Sequence, residues 1–285
     1  MKQFEDLTKV VNLSEDKDVS KKVSIYISVM ILLKLLIIIL LPLIMVSFFS
    51  NTYKHLRVIL ILCGYAVAFC YVVIKHLMAS WVKNPLFSNC NGTLSLLHYT
   101  ALAKRNTHSK SWGLHFFNIS STLYYEGRFD DAKSVVTLME SFTRSNLDAI
   151  MIEILKCRFA FHDKDISALK LHSSKVAQMK KNVHLGRSWE FFRYAAMQQP
   201  ILLELEMHGD YQELYESYKY AKSYLGTTLS KVQQNYYMFC AAASMGDTEK
   251  AKTHRDFVLT YGGTLWYKKV FDDGTTKERL YREEG

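Results

Sequence analysis

The sequence predicts an all-α protein in two parts, a transmembrane helical hairpin followed by an α-solenoid of helix-turn-helix units. Two observations carry the hairpin and one the solenoid. Residues 23–49 and 58–74 are long apolar runs separated by a short polar break. Beyond residue 111 helical periodicity continues with almost no proline, and a glycine-centred turn recurs between the helical stretches. No strand-like alternation interrupts this until the last residues, and an internal repeat of this kind is the first thing to seek in such a chain.

The first apolar run holds one charge, Lys34, and the second holds none. At 1.5 Å per residue each helix reaches across a hydrocarbon core of about 30 Å, the second with help from its flanks. Only a helix satisfies its own backbone there. The run starts after some twenty polar residues and ends without an A-x-A-like site, unlike a cleaved signal peptide. Lys34 is expected to snorkel to the headgroups, and Pro42 to bend the first helix. Trp81 and Tyr53 are the expected interfacial anchors.

Charge sets the expected orientation. The formal net charge is +9. Residues 1–22 are neutral, residues 23–79 carry +4, and the remaining two hundred or so carry +5. The concentrated part is juxtamembrane and suits anionic lipid headgroups rather than nucleic acid. Lys9, Lys17, Lys21 and Lys22 precede the first helix, and Lys75, Lys83, Lys104 and Arg105 follow the second, against Lys54 and Arg57 between them. The positive-inside rule then places both termini in the cytoplasm, with two helices in the cell membrane. Five scattered cysteines fit no zinc or redox motif and suit a reducing compartment. The Asn-X-Ser/Thr triplets at Asn91 and Asn118 carry no glycan there. The Lys-, Tyr- and Asn-rich, Pro-poor composition suggests a bacterial source.

In chain order, residues 1–22 form a cytoplasmic tail. Its apolar patch of Phe4, Leu7, Val10 and Val11 reads either as an interfacial helix with a capped linker at Ser14 or as a disordered tail. Residues 23–83 are the hairpin, stopped at Asn84-Pro85. Residues 84–110 are a linker with a short helix over 94–104. Residues 111–261 are the helical-repeat domain, and residues 262–285 are a polar C-terminal cap or tail, with a hairpin turn at Asp273-Gly274 as the lesser reading.

Four copies of the repeat align. Their turns are Gly127-Arg128-Phe129, Lys164-Asp165-Ile166, Gly209-Asp210-Tyr211 and Gly246-Asp247-Thr248, and the small or apolar positions after them are Ala132, Leu169, Leu214 and Ala251, spaced by 37, 45 and 37 residues. Glycine ends the first helix of each pair in the left-handed conformation, and a polar residue caps the second. This pattern resembles the tetratricopeptide repeat family over residues 111–261, although the family's Pro after the second helix and Trp in the first are missing. The resemblance implies a superhelix whose first helices line a concave groove for an extended peptide or a helix. The matching positions are Phe117, Ser121, Tyr124, Ile154, Arg158, Phe161, Gln199, Leu203, Glu206, Tyr236 and Cys240.

No constellation names a reaction. The ten histidines form no HExxH pair, Gly262-Gly263 lacks the Lys-Ser/Thr of a phosphate loop, and Asp130-Asp131 and Asp272-Asp273 read as capping and turn residues. The basic stretch 175–193, with its interleaved aromatics, is the best candidate for an anionic partner, but the favoured reading is a solvated loop and helix face. The sequence therefore points to no enzyme, no cofactor and no metal. The expected function is a membrane-anchored cytoplasmic interaction module that binds a protein or peptide partner. The alternatives are a peptide sensor or immunity-type protein acting through its hairpin, and a membrane enzyme using Lys34, Cys63 and Cys70.

Overall fold

The structure is a computed structural model that describes residues 2–13, 15–49, 54–105, 112–142, 145–179, 187–220 and 226–272. Among these residues there are helices and no strands. In order they are α1 (Lys2–Val10), α2 (Lys17–Phe49), α3 (Lys54–Phe87), α4 (Gly92–Arg105), α5 (Trp112–Glu126), α6 (Phe129–Ser141), α7 (Asn146–His162), α8 (Ile166–Met179), α9 (Arg187–His208), α10 (Tyr211–Tyr220), α11 (Thr228–Ser244), α12 (Thr248–Tyr261) and α13 (Trp266–Asp272). Residues 15–84 make one unit, and the segment before them joins everything from Pro85 onward in a second.

In the hairpin unit, α2 and α3 run for 33 and 34 residues, about 50 Å each. Both are long and apolar enough to cross a membrane, and no residue of the most apolar eighteen-residue window in either is buried. Ile38, Leu62 and Phe69 are 64%, 63% and 70% exposed. The two helices approach closely at Gly64, where an added Cβ would sit 3.0 Å from Cδ1 of Ile44. The end of α2 leaves carbonyls without helical partners, and Arg57 takes them. Its Nε and Nη2 donate to the Ser47 carbonyl at 3.0 and 2.6 Å, with the guanidinium 4.8 Å from the Phe48 ring centre. Lys34 is exposed, and Pro42 lies within an unbroken α2. The expected stop at Asn84-Pro85 comes two residues late, at Phe87. A proline in the last turn removes only one helical hydrogen bond and leaves the turn standing. Tyr53 lies outside the described residues.

In the larger unit, α1 packs on α6 and buries Leu7 and Val11 completely or nearly so. Arg128 Nη2 fixes the exit of α1 by donating to the Asn12 carbonyl at 2.8 Å. Leu7 and Val11 of the apolar patch therefore meet protein, while Val10 stays 40% exposed. Ser14 lies outside the described residues. Asn91, read above as an unused glycosylation triplet, starts α4 by accepting from the Leu94 N–H at 2.9 Å.

The four repeat turns share one hydrogen-bond pattern. In each, a residue one or two positions past the first helix donates to the carbonyl three back, and the next residue donates to the carbonyl five back: Gly127 and Arg128, Lys164 and Asp165, Gly209 and Asp210, Gly246 and Asp247. This closes the helix ends through a left-handed residue. Gly127, Gly209 and Gly246 have φ of 83°, 77° and 73°, and Lys164 takes the same place at 59°. Asp165 and Asp247 cap the helices that follow. Ala132, Leu169, Leu214 and Ala251 are all buried where each pair meets. The pairs α5/α6, α7/α8, α9/α10 and α11/α12 then pack in sequence, and α13 returns to touch α5 as well as α11 and α12.

Candidate functional site

Several of the residues expected to line an open groove meet in an interior that the chain itself fills. Phe117, Tyr124, Ile154, Phe161 and Leu203 are all buried, none more than 4% exposed. Ser121 and Arg158 are buried as well and bond to each other, Nη1 of Arg158 donating to the Ser121 hydroxyl at 3.1 Å. Gln199 and Tyr236 are half-buried, as are Glu206 and Cys240. Glu206 accepts from Lys164, and burial pushes the Cys240 thiol up to about 12. Ser121, Tyr124 and Arg158 form one cluster. Phe161 joins it through the Tyr237 ring at 5.6 Å, which Tyr236 also contacts at 5.5 Å. Phe117 instead meets the Phe192 ring edge-on at 5.8 Å.

The filling comes from α13. Trp266 stands edge-on to Tyr124, Phe129, His162 and Tyr236 at centroid distances of 6.5, 5.7, 5.4 and 5.1 Å. Tyr267 is completely buried and contacts Tyr125, Tyr236 and Tyr237. Phe271 meets Phe239 at 4.8 Å. Offset and edge-on pairs of this kind are the favoured aromatic arrangements.

A latch of polar contacts holds the turn before α13. The Thr264 N–H donates to the Cys90 carbonyl at 3.0 Å, and its hydroxyl donates to Glu126 Oε1 at 2.7 Å while accepting from the Gly92 N–H at 2.9 Å. Lys269 Nζ donates to the Glu126 carbonyl at 2.9 Å. Gly263 has φ 54°, and a Cβ there would come 2.2 Å from the Cys90 oxygen. Only glycine fits both demands.

The electrostatics of this interior are one-sided. Burial holds the phenols of Tyr124, Tyr218, Tyr237 and Tyr267 well above their ordinary value, so all are neutral at physiological pH, and the opposing pull of Arg158 on Tyr124 and Tyr267 does not overcome it. The thiols of Cys90 and Cys157 are likewise raised to about 12 by burial, which leaves them unreactive. Among the described residues no group of His, Cys, Asp and Glu is placed to hold a metal ion.

Sequence reasoning placed Phe129 in the first repeat turn but missed the other residues that complete this interior: Trp266, Tyr267, Tyr237 and the Glu126 anchor. A signal existed in the Gly-Gly turn followed by an aromatic pair, but the surrounding lysines and aspartates made residues 262–285 read as a polar end. Asp273-Gly274 lies outside the described residues. In the basic stretch 175–193, Arg193 is 7% exposed and so belongs to the interior rather than to a solvated face; residues 180–186 are not described. Comparison of the chain with models of known families, with curated proteins and with solved structures finds no match.

Proposed function

We propose that this chain is a membrane-anchored interaction module, its hairpin in the bilayer and its helical domain presented on the cytoplasmic face to a protein or peptide partner. One observation carries the reading: α1, which precedes the hairpin, packs against α6, which follows it. A chain whose two flanks fold together cannot have them on opposite sides of a membrane. This supports a hairpin that crosses twice and returns, and the distribution of lysine and arginine favours the inside as the common side. Tethering raises the local concentration of the domain for partners at the same membrane.

With the interior occupied by α13, the contact surface for a protein partner moves to the outside. There Leu171 on α8 and Tyr194, Met197 and Ile201 on α9 are exposed, the last three at a spacing that puts them on one helix face. The test has two parts. Green fluorescent protein fused to either terminus is expected to fluoresce in cells, and alkaline phosphatase at the same places to stay inactive. A photo-reactive residue at Met197 or Ile201 is expected to give a discrete adduct that one at exposed Lys252 does not. Opposite activity of the two termini removes the hairpin reading, and identical adducts from both faces, or none, removes the interaction reading.

A further inference from the structure

One face of α2 stays open along its length and carries a single charge. Ile31, Ile38, Leu41 and Met45 are 54%, 64%, 58% and 54% exposed. Lys34 is exposed among them, on the same face by three- and four-residue spacing. Its depth follows from the loop end of the hairpin, where Arg57 donates to the Ser47 carbonyl and so marks the headgroup level. Lys34 lies thirteen residues in from Ser47, about 20 Å along the helix. That leaves about 10 Å to the other edge of a core about 30 Å thick, and tilting the helix leaves more. The four-carbon stem of a lysine spans about 6 Å. A lysine held beyond snorkelling reach is costly in lipid unless a counter-charge meets it. The chain brings none to this depth. Neither α2 beyond Asp18 nor α3 contains an aspartate or glutamate, and the next acidic residue after Asp18 is Glu126. A second copy carries the same two spans and offers Lys34 no carboxylate either.

We propose that this face of α2 seats a membrane-spanning helix of a different protein, one that carries an aspartate or glutamate at the depth of Lys34. The ammonium donates to that carboxylate, and Ile31, Ile38, Leu41 and Met45 pack around the pair. Charged residues inside a membrane pair with one another in this way, and the absence of lipid-facing water keeps the pair strong. The proposal rests on the hairpin crossing the membrane, and the two are separable: the terminal fusions above report the crossing, and the test below reports Lys34.

The test reconstitutes the full-length protein in phosphatidylcholine vesicles with a synthetic polyleucine helix. The helix carries glutamate, glutamine or leucine about seven residues from one end of its apolar stretch, the depth inferred for Lys34. Energy transfer from a dye on the protein to a dye on the helix reads association. The glutamate helix is expected to half-saturate at a peptide-to-lipid ratio about five-fold or more below that of the leucine helix, with glutamine between them. Lys34→Leu is expected to abolish the difference and Lys34→Arg to keep it, while the thermal midpoint of the larger unit stays the same in both variants. Equal saturation by the glutamate and leucine helices overturns the proposal and leaves Lys34 to the lipid headgroups. A glutamate preference that survives Lys34→Leu overturns it as well, because another group then holds the carboxylate.

Discussion

The two units are built from the same element and use it in opposite ways. In the hairpin, helices of 33 and 34 residues turn their apolar side chains outward: Ile38, Leu62 and Phe69 are each more than 60% exposed. In the larger unit, helices half that length carry interrupted apolar positions, and those positions are the buried ones, Leu155, Leu169, Leu203 and Val258 among them. Under the proposed membrane reading the two units have different solvents. An exposed apolar surface of the hairpin's extent marks contact with another apolar phase, whereas the larger unit removes its apolar groups from water by packing them against each other. The contrast teaches that helix length and continuity of apolarity, rather than apolar content alone, tell the two environments apart.

The largest test of this contrast is a matched truncation. Leu155 is completely buried, and Leu155→Ala is expected to cost the larger unit about 2–5 kcal/mol, the transfer term plus the cavity left behind. Leu41, 58% exposed in the hairpin, is expected to leave the unfolding of that unit unchanged when replaced by Ala. Urea unfolding in detergent, followed by hydrogen exchange of the two units, gives both numbers. An equal loss at the two sites would mean that the hairpin face is covered by protein and would break the comparison.

Within the larger unit, two glycines sharpen what the α13 latch contributes. Both have a left-handed backbone, but Gly246 faces open space while a Cβ on Gly263 would meet the Cys90 oxygen at 2.2 Å. Gly246→Ala is expected to cost about 1 kcal/mol, the conformational penalty alone. Gly263→Ala adds a backbone clash, and about 1–3 kcal/mol more is expected. It is also expected to expose Trp266, seen as a red shift of its emission. Equal costs for the two would show that the turn before α13 does not hold the segment in place.

Acid should separate the units as well. Burial lowers the His115 imidazole from 6.5 to about 4, and burial also lowers His254, whose Nδ1 and Nε2 are already engaged with Asn235 and Tyr215. Between these values the unfolded chain binds the proton and the folded one does not, so stability rises with pH. It is fully present above 6.5 and is lost as pH falls towards 4. From pH 7 to pH 5 His115 alone accounts for about 2 kcal/mol. His115→Phe is expected to flatten the dependence measured by urea midpoint, and a profile unchanged by that substitution would remove His115 as its source.

Much of this organisation was legible in the sequence. The apolar runs, the four turns and the four positions after them follow from rules that act within a few residues, so a single chain displays them. Lys164 shows how far such rules reach: a lysine at φ 59° closes the weakest copy as glycine closes the others. What the sequence did not display was long-range. The fate of Leu7 and Val11, which pack on α6, and of Trp266 and Tyr267, which fill the interior, depends on contacts more than one hundred residues away along the chain. Short aromatic or apolar patches flanked by charge carry no periodic signal that separates a surface cap from a core plug. The eleven positions expected on a groove do include the Ser121, Tyr124 and Arg158 cluster, because helix periodicity fixes which face turns inward. Whether that face stays open is decided by α13, which lies outside the repeats.

The smallest expected effect concerns charge, and it sets the two environments side by side. Lys133 pairs with Asp163 at 2.7 Å, but the two side chains are 42% and 43% exposed. Water and salt screen such a pair, so Lys133→Ala is expected to cost less than about 1 kcal/mol in urea unfolding, and less still in high salt. Lys34 is exposed too, yet what surrounds it under the membrane reading is lipid and headgroup rather than water. Lys34→Leu is expected to leave the larger unit's midpoint untouched while favouring insertion of α2, by about 2.5–3.5 kcal/mol if the lysine sits at the helix centre and by less the nearer it lies to the headgroups. Glycosylation-scored insertion of an α2 segment into microsomes reads that difference directly. No gain in insertion would place Lys34 where water already reaches it, and would shorten the apolar span of α2 to the residues that follow.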